Sequence, residues 1–221
     1  MTTLLETVEV ETGPGPQASV IWLHGLGADG HDFEPIVPEI ARELAVSLRF
    51  VFPHAPVRPV TINNGYRMRA WYDIGGFDRN AVQDEVGIRG SDAAVLALIR
   101  RENERGVATG RIVLAGFSQG GAMALFTGVR YPEKLAGIMG LSCYLVLAAT
   151  LDDERQPANQ TTPIFMAHGT FDPVVDARLG EETRKALEAR GYPVTWRTYP
   201  IPHSVCPEEI RDITSWLKRV L

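Results

Sequence analysis

The chain has 221 residues, 45% of them apolar and 22% charged, and 22 basic against 27 acidic side chains leave a net charge of −5. That balance lacks the basic stripe that displaces phosphate counterions, so it excludes a nucleic-acid footprint; the composition also excludes disordered, collagen-like and fibrous chains. A chain of this length buries about 70% of its unfolded surface, and a single domain spanning 1–221 is expected.

Short apolar, β-branched runs alternate with longer helical patterns, which predicts an α/β fold with a mostly parallel sheet covered by helices on both faces. Val8–Glu11 reads as a first strand, closed by the turn Gly13-Pro14-Gly15-Pro16. Ser19–Leu23 reads as a buried strand, Glu34–Val46 as a helix and Arg49–Phe52 as the next strand. From His54 to Asp78 no period is visible, and long aperiodic segments inside compact domains tend to be functional loops. Asp84–Glu104 reads as an amphipathic helix, with Ala93, Leu96, Ala97 and Ile99 along its apolar side. Arg111–Ala115 is a predicted strand, Gln119–Arg130 a helix and Leu135–Leu141 a strand. Asp152–Thr162 is polar and is expected to be a surface loop. Ile164–Ala167 is the next strand, Asp176–Arg190 a helix, Thr195–Tyr199 the last strand and Pro207–Leu221 a closing helix.

Chemistry enters where a strand meets a helix. Gly116-Phe117-Ser118-Gln119-Gly120 fits G-x-S-x-G between the predicted strand 111–115 and the helix 119–130. An abrupt strand-to-helix turn strains its middle residue and brings the flanking backbone too close for a Cβ, hence the glycines. It also projects the Ser118 hydroxyl at a helix N-terminus, where backbone N–H groups can receive an oxyanion. The plainer alternative is a glycine-rich turn in which Ser118 merely caps the helix.

A serine hydroxyl needs a base, and the base needs a carboxylate to orient it. His203 lies just past the last predicted strand and Asp172 just past strand 164–167, both at the carboxyl edge of a parallel sheet and in the order Ser…Asp…His. Asp172 competes with a role as turn residue or helix cap, and Asp176 is its rival as the acid. His168 reads as a packed scaffold residue, and His31 and His54 as loop residues. His24-Gly25-Leu26-Gly27 after strand 19–23 matches the turn that supplies a second oxyanion N–H. Leu26 and Gln119 are thus the candidate donors, each through its backbone, and His24 is expected to tether the loop rather than move protons.

These motifs resemble the carboxylesterase and acyl-protein thioesterase family, also called phospholipase/carboxylesterases. The resemblance rests on HGLGADGHDF at 24–33, FPHAP at 52–56, PVTINNG at 59–65, AWYDI at 70–74 and DEVGI at 84–88. It continues through GFSQGGAMAL at 116–125, LSCYL at 141–145, HGTFDPVV at 168–175 and the stretch from Tyr199 to Val205. It implies an α/β-hydrolase with little or no lid, using Ser118, Asp172 and His203 as triad and Leu26 and Gln119 as oxyanion donors. Trp71 and Tyr72 match the family's loop beside the acyl groove, and the segment Cys143, Tyr144 and Leu145, with Phe171 and Val174, is assigned to the same groove. Family members often dimerise near the active site, so the resemblance implies a homodimer. Val146 departs from the family, where proline is expected, and puts the local groove shape in question.

The expected activity is hydrolysis of short- to medium-chain acyl esters, small molecules being the partners. Deacylation of S-acylated protein or of lysophospholipid by the same triad is the alternative, and a non-catalytic binding module the alternative of another class. No metal and no organic cofactor is expected. Cys143 and Cys206 are too few for a disulfide framework and read as free thiols. No segment has the length of a membrane span, and the start MTTLLETVEVETG lacks a basic, apolar leader. A cytoplasmic protein without stable membrane anchoring is expected.

Overall fold

The structure is a computed structural model that describes residues 4–76 and 82–221. Among them lies a seven-stranded sheet in the order β1-β3-β2-β6-β7-β8-β9. Its strands are β1 (Thr7–Glu11), β2 (Ala18–Leu23), β3 (Leu48–Pro53), β6 (Ile112–Phe117), β7 (Gly137–Leu141), β8 (Ile164–Gly169) and β9 (Val194–Tyr199). Only β1 runs antiparallel, against β3; every other pairing is parallel. A separate hairpin, β4 (Val57–Val60) with β5 (Tyr66–Arg69), projects from the loop after β3.

Alternation within the strands decides where the helices go. Along β2, Val20 and Trp22 face one side while Ile21 and Leu23 face the other, the period of two that a pleated strand imposes. The Ile21 side packs against α2 (Glu85–Glu104), α3 (Gln119–Arg130) and α5 (Ala177–Glu188), through Val95, Leu98, Leu125 and Leu187. The Trp22 side packs against α1 (Val37–Ala41) and α6 (Pro207–Val220), through Ile40, Ile213, Trp216 and Leu217. Central strands buried on both faces read as continuous apolar runs, and β2, β3, β6, β7 and β8 are buried along their whole length.

Three expectations are corrected. The helix expected over Glu34–Val46 is a 3₁₀ turn at Glu34–Ile36 followed by only the five residues of α1. Pro35 and Pro38 each remove a backbone donor, so the pattern yields one short helix rather than three turns. The expected loop over His54–Asp78 contains β4 and β5, joined by a turn with Asn64 at φ 54° and Gly65 at φ 76°. Its exposed Arg and Tyr side chains gave no apolar period, since this hairpin buries little of itself; the end of that expected loop, Asp78, lies outside the described residues. The polar stretch 152–162 holds part of a four-residue helix, α4 (Leu151–Glu154), and a 3₁₀ turn at Pro157–Asn159. Among the described residues no helix is long and apolar enough to cross a membrane.

Candidate active site

Four of the parallel strands end at one edge, and each delivers a candidate residue there: β2 the His24–Gly27 turn, β6 Ser118, β8 Asp172 and β9 His203. Ser118 sits between β6 and α3 with φ 53° and ψ −122°, a conformation L-residues rarely adopt. Neighbours over-determine it. A Cβ at Gly116 would lie 2.3 Å from the Gly120 carbonyl, and one at Gly120 would lie 2.2 Å from the Leu23 carbonyl oxygen. Both glycines are therefore required by close backbone approach. The Ser118 N–H donates to Leu141 O on β7 (2.8 Å), which fixes the turn against the neighbouring strand. Its hydroxyl makes no capping bond to α3 and is left for other work.

The imidazole of His203 donates from Nδ1 to Oδ2 of Asp172 at 2.6 Å. The acid is itself held: Asp172 Oδ1 accepts from the N–H groups of Val174 (2.8 Å) and Val175 (2.9 Å), and the side chain is fully buried. This short bond to a carboxylate holds one ring proton on Nδ1, fixes the ring orientation and leaves Nε2 as an acceptor. Asp176, the rival acid, instead caps α5 by accepting from Arg178 N, and its own ion pair with Arg178 pulls its carboxyl down to about 2. Phe117 packs its ring against His203, centroids 4.7 Å apart.

Ser118 and His203 share one cavity of about 220 Å³, walled also by Leu26, Gln119, Tyr72, Ile74, Tyr144 and Val174. Gln119 opens α3, so its N–H belongs to the donors a helix leaves without intrahelical partners. Leu26 lies in the turn after β2 and lines the same cavity, and the Gly25 before it is close to the serine: a Cβ there would come within 3.5 Å of Ser118 Cβ. His24 anchors that turn. Its Nε2 accepts from Ala55 N (3.0 Å), which puts the ring proton on Nδ1, donating to Gly25 O (2.7 Å). Burial pushes its pKa down to about 4, so it is neutral at pH 7.

Of the seven groove residues expected from sequence, the structure brings four to the cavity wall: Tyr72, Cys143, Tyr144 and Val174. Trp71 is instead fully buried; its indole donates to His24 O (2.9 Å) and its backbone N–H to Gln119 Oε1 (2.7 Å). Leu145 turns into the core beside α5, its N–H donating to Thr183 Oγ1. Phe171 is 70% exposed and stands outside the cavity. Val146, the departure from the family pattern, is buried in the core and does not line the cavity. Sequence reasoning missed Ala28, Asp32, Ile74, Phe117 and Val175 as lining residues. No local period marked them, although Ile74 and Val175 closed motif stretches that had been singled out. The Asp32 carboxyl is shifted up by partial burial and by Asp29.

Burial holds the Cys143 thiol, also on the wall, well above its ordinary range, which removes it as a nucleophile. Among the described residues no group of three or more His, Cys, Asp or Glu side chains is arranged to hold a metal ion.

The family model described as Phospholipase/Carboxylesterase matches residues 5–221. Acyl-protein thioesterase 1 of Neurospora crassa is 44% identical over 209 residues, covering 90% of this chain and 85% of that protein. Acyl-protein thioesterase 1 of Gibberella zeae is 40% identical over 213 residues, covering 92% and 91%. Among solved structures, acyl-protein thioesterase 2 of Zea mays superposes with a TM-score of 0.86 at 29% identity, over 97% of this chain and 98% of that one.

Proposed function

This chain belongs to the phospholipase/carboxylesterase family and is a carboxylic ester hydrolase, and on that premise we propose that Ser118, His203 and Asp172 form its catalytic triad. The observation that carries this reading is that a strained, uncapped serine and a histidine bonded to Asp172 at 2.6 Å line one cavity. His203 Nε2 takes the Ser118 proton as Oγ bonds to the acyl carbon, and the N–H groups of Leu26 and Gln119 receive the oxyanion. The carbon–oxygen or carbon–sulfur bond to the leaving group then breaks, and His203 delivers its proton to that alcohol or thiol. Water, deprotonated by the same ring, hydrolyses the acyl-enzyme. Asp172 keeps the tautomer and stabilises the imidazolium.

We assign short- to medium-chain acyl groups to the cavity, because Tyr72, Ile74 and Tyr144 give it an apolar wall and its volume is about 220 Å³. A second reading, deacylation of S-acylated protein, is favoured by the names of the relatives at 40–44% identity. A series of p-nitrophenyl esters from acetate to decanoate, run beside an S-acylated peptide, separates the two. Turnover peaking at butyrate to octanoate supports the ester reading; peptide deacylation far faster than any ester supports the thioesterase. Equal rates in Ser118→Ala and the unsubstituted enzyme would sink both.

A further inference from the structure

Behind the triad acid lies a second imidazole that the mechanism does not use. His168 is at the end of β8, with its side chain fully buried. Its Nε2 lies 2.9 Å from Val175 O and 3.5 Å from Asp172 Oδ2, the oxygen that binds His203. Both neighbours are acceptors, so Nε2 carries the proton. The other nitrogen, Nδ1, is buried with no hydrogen-bond partner. Gly180 of α5 covers it so closely that a Cβ there would stand 2.5 Å from Nδ1, and Trp196 flanks the ring at 6.3 Å between centroids.

A buried polar atom without a partner is a standing cost, and a purely structural position would be filled more cheaply by an apolar side chain. Here the cost accompanies a defined geometry. The His168 N–H holds the carbonyl of Val175, whose own N–H, with that of Val174, holds Asp172 Oδ1. The turn 172–175 is thus closed from both sides. The protonated Nε2 also stands 3.5 Å from Oδ2, while the sealed Nδ1 denies the ring a second proton. A charged imidazole at this place would compete with His203 for the carboxylate.

We propose that His168 is a positioning residue for the catalytic acid: it locks the turn that presents Asp172 and, by staying neutral, reserves the carboxylate charge for His203. This rests on the triad reading above. It acts through Asp172 and does not touch substrate, so the rate of acylation should respond and the affinity for substrate should not.

The test is steady-state hydrolysis of p-nitrophenyl butyrate by His168→Leu, His168→Gln and Gly180→Ala, with the ¹H NMR resonance of the His203–Asp172 bridging proton followed in each. In His168→Leu, kcat should fall about 10- to 100-fold with KM within about twofold, and the bridging resonance should move upfield or broaden. His168→Gln, whose terminal amide N–H reaches toward the place of Nε2, should recover most of the rate. Gly180→Ala, pressing on the ring from behind, should lower kcat and shift the resonance in the same direction; it decides the question should the leucine variant not fold. A folded His168→Leu or Gly180→Ala with wild-type kcat and an unmoved resonance overturns the proposal. Ser118→Ala, inactive in the same assay, shows that such a result strikes His168 alone; turnover by Ser118→Ala would instead strike the triad.

Discussion

At the scale of single residues, position relative to a strand end was the legible part. Ser118, Asp172 and His203 could be referred to one edge because each follows an apolar run at short distance, and parallel strands end on the same side. Side-chain direction was not legible. Trp71 and Tyr72 are adjacent, yet only Tyr72 reaches the cavity, because Gln119 and His24 seize the backbone and indole of Trp71. The tethering role of His24 gives a stability prediction with a definite sign. Its folded pKa, about 4, lies below the ordinary 6.5, so its contribution is complete above pH 6.5 and is lost as pH falls through 4. His24→Ala should therefore cost about 1–3 kcal/mol at pH 7, and its deficit against the unsubstituted protein should shrink towards pH 4 in denaturant titrations. A deficit that grows on acidification would contradict a neutral, hydrogen-bonded His24.

At the scale of elements, the segment 70–74 is where loop and helices meet. Gln119 of α3 accepts from Trp71 N and donates to Tyr72 O (2.8 Å), Ser91 of α2 donates to Trp71 O, and the α2 cap Asp84 accepts from Asp73 N (2.9 Å). The side chain of one candidate oxyanion residue therefore sets the wall on which Tyr72 sits, a link invisible in sequence because its partners are backbone groups 48 and 47 residues away. Gln119→Glu replaces the donor facing Tyr72 O by a carboxylate oxygen, and kcat/KM should drop about 100-fold with a changed chain-length profile. An unchanged profile would mean the clamp does not shape the groove.

At the other end of the sheet's last connection, α6 begins with Pro207, and Glu209 turns back to accept from Cys206 N–H while its Oε1 has no partner. Burial raises its carboxyl to about 8. A raised acid stabilises the fold fully below its unfolded pKa near 4.5, and that contribution fades as pH rises through 8. Glu209→Gln should accordingly become more stable than the unsubstituted protein by roughly 5 kcal/mol at pH 9 and roughly equal at pH 4. Thermal melts at the two pH values check this; a variant less stable at pH 9 would refute a buried, protonation-favouring site.

For the whole molecule, the two edges of the sheet have separate duties. At the edge away from Ser118, fully buried Glu102 of α2 accepts from Ser19 Oγ (2.6 Å), Arg49 (2.8 Å) and Arg105 (3.0 Å), and Arg49 in turn binds Glu11 of β1. This network joins the antiparallel strand to the parallel sheet. Glu102→Ala leaves Arg49 buried without its main partner and should cost about 3–5 kcal/mol, while kcat/KM of the folded fraction stays within about twofold. The alternating strands and helices were legible at this scale, since a sheet buried on both faces writes itself as apolar runs. The hairpin β4–β5 was not, having almost no buried face to impose a period. The claim on which the rest depends is that one serine carries the acyl group. The measurement that meets it most directly is inactivation by a fluorophosphonate followed by peptide mass spectrometry. One phosphonyl group per chain on Ser118, with loss of ester hydrolysis in proportion, is the predicted result. Full inactivation with the label on another residue, or labelling of Ser118 that leaves hydrolysis intact, would contradict it.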